Sequence, residues 1–205
     1  MSKTIDRIEP IEQLSELVKI IFGLALSIGA ISLFTRIPIA TNAMLIDIGE
    51  FGFSFLILIS VWLEYTNIMA VLPMKDGVTV VLNLALLFLV SIEPYLFYLN
   101  ITFDLLTREL LLNSASILYA LDMAGLMLIL ALFTDELARE ERGLVPKESL
   151  AKYKRARSTF FISAALFALS ILPIFWTLKI MKYPIRFFFW FIPLILSSVT
   201  RISAR

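Results

Sequence analysis

The chain has 205 residues, 60% of them hydrophobic, with a mean hydropathy of +0.90 and a net charge of +1. It contains no Cys and no His, which excludes bis-His haem, Cys-ligated iron-sulfur clusters, thiolate or imidazole zinc and His-dependent nucleophilic dyads. No cofactor and no resident metal are expected, and the near-neutral charge gives no footprint for a nucleic-acid partner.

Apolar stretches at about 17–35, 44–64, 77–99, 112–134, 158–178 and 185–200, joined by short charged connections, fill most of the chain. Each is close to the roughly 20 residues that cross a bilayer as a helix. The stretches are continuously apolar instead of alternating, and backbone amides in hydrocarbon must be satisfied internally, so helices are favoured over a barrel. The expected fold class is all-α: a polytopic membrane protein with six transmembrane helices in one bundle, a single domain over residues 1–205. The N-terminal residues mix Lys3 and Arg7 with Asp6, Glu9, Glu12 and Glu16 and do not read as a cleaved signal peptide.

Pro10, followed by Ile11, Leu14 and Leu17 at helical spacing, starts the first helix ahead of the membrane. Along the first span Leu24, Ile28 and Ile31 share one face, which suits lipid, while Ala25, Gly29, Ser32 and Arg36 line another and Gly23, Ser27 and Ala30 a third. Small residues four apart permit close helix packing. The same small, polar face would also suit the wall of a pore at a symmetry axis.

In the second and third spans Asp47, Glu50 and Glu93 fall toward the outer ends, where a ring repeated by oligomerisation would concentrate cations at a mouth. Solvated helix ends explain them equally well. Asp122 sits near the middle of the fourth span, the most expensive depth for a charge, so it should face the bundle interior. It is either a functional group or the donor of one interhelical hydrogen bond, to Asn83, Ser27 or Ser32. No two of these carboxylates fall on one helix face at one depth, which leaves an intramembrane enzyme without its acid/base pair.

The connection from Asp135 to Arg157 ends in Lys152, Tyr153, Lys154, Arg155 and Arg157, suited to anionic headgroups or to anchoring alone. Pro94, Pro173 and Pro193 should kink their helices. The run Phe187, Phe188, Phe189, Trp190 and Phe191 reads as interfacial and lipid-facing packing. With these spans, thirteen of the 18 Lys and Arg fall on one side and five, Arg36, Arg108, Lys179, Lys182 and Arg186, on the other. The positive-inside rule then places both termini in the cytoplasm, and a plasma membrane location follows from the lack of a targeting signal.

Trp62 near the inner end of helix two, Asn83-Leu84 and Leu87-Phe88 with Pro94 in helix three, and Tyr119-Ala120-Leu121 in helix four stand in an order and spacing that resembles the transmembrane protein 175 family. Its prokaryotic members are six-helix subunits of tetrameric potassium-permeable channels. Of the family's Arg-x-x-x-Phe-Ser-Asp signature at the start of the first helix, Val18 to Leu24 retain only Phe22, so the chain looks like a divergent member. The resemblance implies passive transport of potassium or another monovalent cation, without catalysis, by a homotetramer in contact with membrane lipids. Phe22, Ala25, Gly29, Ser32 and Arg36 would line the central path, and Asp122, Asn83, Trp62 and Ser27 would brace the pore helix from behind. In the same register the bulky residue that constricts the path falls at Gly29. The alternative is a non-conducting structural or accessory subunit of a larger membrane complex.

Overall fold

The computed structural model describes residues 10–34, 41–72, 77–102, 109–180 and 183–202. Helix α1 (Pro10–Phe34) starts on the proline that its spacing points to, since a first-turn residue has no need of the missing N–H. Helices α2 (Thr41–Met69), α3 (Gly77–Thr102) and α4 (Glu109–Ala138) follow, and α3 continues through Pro94. Each contains a stretch long and apolar enough to cross a membrane, Asp47–Met69, Gly77–Leu99 and Asn113–Ala138.

Helix α4 is the hub, packed most extensively on α5 (Lys147–Leu169) and then on α3 and α2, while α1 lies on α3 and α2. Buried residues cover more than half of its circumference, from Ile129 through Tyr119 and Leu130 to Met127 and Ala131, which accounts for its apolar composition. Only a stripe through Leu118, Leu121, Leu128 and Leu132 stays exposed.

The second half departs from the expected spans. The fifth stretch, 158–178, is not one helix: α5 begins eleven residues earlier, at Lys147, and ends at Leu169, four residues before Pro173. Pro173 has no N–H to offer the Leu169 carbonyl and its ring crowds that oxygen, so the helix stops there instead of kinking. The short helix α6 (Ile174–Thr177) and an antiparallel pair of two-residue strands, β1 (Lys179–Ile180) and β2 (Tyr183–Pro184), complete the segment. That small hairpin is the one departure from an all-α fold among the described residues. The sixth stretch is likewise two helices, α7 (Ile185–Phe189) and α8 (Phe191–Ile202), interrupted at Trp190. Pro193 sits in the first turn of α8 and has no N–H to offer the carbonyl of Phe189, the last residue of α7. Trp190 ties the break to α5, its Nε1 donating to Ser170 Oγ at 2.9 Å.

Ion pairs tie the long connection to the end of α4 and to itself. Arg157 reaches Asp135 at 2.7 Å, Lys154 reaches Glu140 at 2.9 Å and Arg142 reaches Glu136 at 2.8 Å. Gly143, at φ +59°, turns the chain between these partners in a conformation that a side chain would strain.

Candidate functional site

The face of α1 expected to line a path is its interior face. Val18, Phe22, Ala25 and Gly29 are buried, Ala25 at 2% exposure. The Phe22 ring lies 6.2 Å from that of Tyr65 on α2, and a Cβ at Gly29 would sit 3.7 Å from the Phe51 ring. Leu24, Ile28 and Ile31 form the open face with Gly23 and Ser27, Ile28 at 45% exposure. A residue at the axis of an oligomer should be exposed on the single chain, and Phe22, Ala25 and Gly29 are buried there. The physical reason for the reversed reading is that both faces are apolar and both carry small residues, Ala25 and Gly29 on the packed side and Gly23 and Ser27 on the open one. The Ser32 and Glu50 side chains, and Arg36 entirely, lie outside the described residues.

The polar side chains of α2, α3 and α4 are drawn inward in pairs. Tyr65 Oη donates to Asn83 Oδ1 at 2.7 Å, and Asn83 Nδ2 donates to the Thr79 carbonyl at 2.8 Å. Nearer the other end of α3, Ser54 Oγ donates to Glu93 Oε1 at 2.6 Å. Asp122 on α4 lies within electrostatic range of Glu93, and Tyr119, one turn earlier, lies within range of both. Glu93 is 0% and Asp122 4% exposed, and Glu93 Oε2, both Asp122 carboxyl oxygens and Tyr119 Oη have no hydrogen-bond partner among the described residues.

This arrangement corrects several sequence expectations. Glu93 is not an outer-mouth acid, because the Ser54 hydroxyl on the neighbouring helix takes it into the interior. Asp122 does not brace α1 through Asn83 or Ser27: Asn83 serves Tyr65, and Ser27 is exposed, its Oγ donating to the Gly23 carbonyl of its own helix at 2.8 Å. Trp62 packs at the edge of the core, and Asp47 is half-buried near the start of α2. The Glu93 and Asp122 juxtaposition was missed because separate helices set it; the available signal was a second acid in an otherwise apolar span.

Chemically, two carboxyls, a phenol and a hydroxyl can share protons or hold water. Among the described residues no group of three or more acids is close enough to hold a metal ion. The best-satisfied part of the layer offers a direct test. Tyr65→Phe should destabilise the protein by about 1–3 kcal/mol, because the fully buried Asn83 Oδ1 loses the hydroxyl that donates to it. Thermal unfolding in a mild detergent would measure the loss, and Tyr65→Phe with Asn83→Leu should recover part of it.

No family model matches the sequence, and a search of curated proteins finds no match. Among solved structures, the crystal structure of a lysosomal potassium-selective channel TMEM175 homolog from Chamaesiphon minutus superposes with a TM-score of 0.61 at 13% identity, covering 95% of this chain and 98% of that one. Agreement over nearly the whole of both chains, including the broken second half, makes this a membrane-protein architecture with a TMEM175-like fold.

Proposed function

We propose that the chain is the subunit of a passive channel for potassium or another monovalent cation, a homotetramer in which the open face of α1 surrounds a central path. The observation that carries this reading is the stripe of Leu24, Ile28 and Ile31, exposed on a helix whose opposite face is packed inside the subunit. Stacked aliphatic rings around an axis would close the path by excluding water and would open it by moving apart. The solved neighbour, a potassium-selective channel, supports the same class of activity through its fold.

In this proposal the chain is one six-crossing domain in the plasma membrane with both termini cytoplasmic. The skewed distribution of Lys and Arg supports that orientation. Exposed Phe161, Ile162, Leu169, Leu172, Ile174 and Leu178 support a lipid-facing fifth crossing despite the break at Pro173. The half-buried Asp47, and Glu50, remain candidate mouth acids for attracting cations.

The test is potassium flux into liposomes from protein whose oligomeric state is measured in the same preparation. A conducting homotetramer is expected; a silent, verified homotetramer would overturn the channel reading. One observation favours the alternative of a non-conducting accessory subunit: Phe22, the surviving residue of the first-helix signature, is buried. An open aliphatic stripe also suits the flank of another membrane protein. That reading requires a stable hetero-complex and no flux from the chain alone.

A further inference from the structure

Arg186, the second residue of α7, is 1% exposed. A guanidinium carries five N–H donors and stays charged at any ordinary pH. Here its Nη2 makes one long contact, 3.4 Å to Asn113 Oδ1 on α4, and its Nε and Nη1 have no partner among the described residues. The rings of Phe187 and Trp176 lie 5.3 and 5.6 Å from its central carbon. Such rings attract the cation through their π-faces but accept none of its in-plane hydrogen bonds. Trp176 adds a further buried donor without a partner, its Nε1. Three donor nitrogens without a partner among the described residues are thus gathered in one aromatic-walled cluster between α4, α6 and α7.

A buried cation with no opposing charge is among the costliest features a fold can carry, and the usual remedy is an anion bound where the donors are. The planar fork of Arg suits an oxyanion with two or more oxygens, carboxylate or phosphate. Phosphate is favoured by the setting. Phe175, Trp176, Phe187 and Phe189 make this an aromatic-rich end of the bundle, of the kind seated at the membrane–water interface where phospholipid headgroups lie. The neighbouring β1–β2 hairpin also presents the exposed Lys179.

We propose that Arg186 and Trp176 form a binding site for a phosphate oxyanion, supplied by a phospholipid headgroup, with Asn113 positioning the guanidinium. The site belongs to each subunit and is independent of whether the protein conducts. It fixes the broken segment from α6 to α7 against α4 by way of a bound lipid.

The test is the thermal midpoint of the full chain in neutral detergent, titrated separately with phosphatidylglycerol, with a diacylglycerol of the same acyl chains, and with inorganic phosphate. Saturable stabilisation by phosphatidylglycerol and none by diacylglycerol is expected. Arg186→Gln should raise the lipid concentration needed by about tenfold, the scale for losing a charged hydrogen-bonding partner. Trp176→Phe, which keeps an aromatic ring while removing the N–H donor, should raise it by roughly threefold and guards against a failure of the first variant to fold. Equal stabilisation by inorganic phosphate would support the oxyanion site and assign it to the free ion. An unchanged lipid response in both variants would overturn the proposal. So would an absent response to every additive in the wild type.

Discussion

Ile28→Asn should raise potassium flux in liposomes by about tenfold or more relative to the wild type, the largest change expected from any single substitution on α1. Leu24, Ile28 and Ile31 are exposed on one face of that helix, and at 1.5 Å per residue they span about 10 Å of its length. Apolar rings over that distance at a symmetry axis would expel water, and an ion cannot cross a dry segment without losing its hydration. A polar side chain in the middle ring would wet it. The tenfold scale corresponds to lowering the barrier by only about 1.4 kcal/mol, a small part of what dehydrating an ion costs.

The control lies on the other face. Ala25→Leu inserts three carbons into the buried seam of α1, so it should cost about 1–3 kcal/mol of stability through overpacking and leave the path of a correctly assembled channel unchanged. If Ile28→Asn left the flux of a conducting wild type unaltered while Ala25→Leu changed it, the stripe would face lipid and the original assignment of the small-residue face would return.

These two residues also show where the sequence is legible. Helices α2, α3 and α4 lie within a few residues of the stretches expected at 44–64, 77–99 and 112–134, because long apolar runs in hydrocarbon can satisfy their amides in only one way. The start of α1 at Pro10 follows from the same local chemistry. Which side of α1 faces inward does not. In a soluble helix polarity separates core from solvent, but in a membrane bundle Val18 and Phe22 on the inside and Leu24 and Ile28 on the outside are equally apolar, and periodicity gives the faces without saying which neighbour each meets. The misplaced end of α5 has a different cause. Hydropathy counts the apolar residues on both sides of Pro173 as one span and discounts the charged turns after Lys147, whereas α5 extends through those charges and stops short of Pro173. Arg186 is legible as a charge on one side of the membrane, but its burial brings in Asn113, 73 residues away in sequence.

Asp122→Val should stabilise the protein, by about 1–3 kcal/mol, even though it removes a polar group from the most deeply packed helix. The usual expectation for a buried residue is the reverse, and the sign turns on satisfaction. Neither carboxyl oxygen of Asp122 has a partner among the described residues, and a second carboxyl, Glu93, lies within electrostatic range. A buried polar group without a hydrogen bond costs about 1–3 kcal/mol on mutational scales, and an apolar side chain of similar size escapes that cost. Ser54→Ala should move stability the other way by a similar amount, since it strips Glu93 of the donor it has at 2.6 Å. Paired unfolding measurements, with the double variant included, separate the two terms, because the sites share Glu93 and their effects should not add. Opposite signs would mean that Asp122 weakens the α3–α4 interface without compensation, as expected of a group retained for something other than holding helices together. If Asp122→Val instead destabilised the protein as much as Ser54→Ala, water or a cation would have to occupy the space between Asp122, Glu93 and Tyr119. The buried acids would then form a hydrated pocket behind the path rather than an unmet demand in the core, and flux in the Asp122→Val variant would show whether conduction depends on it.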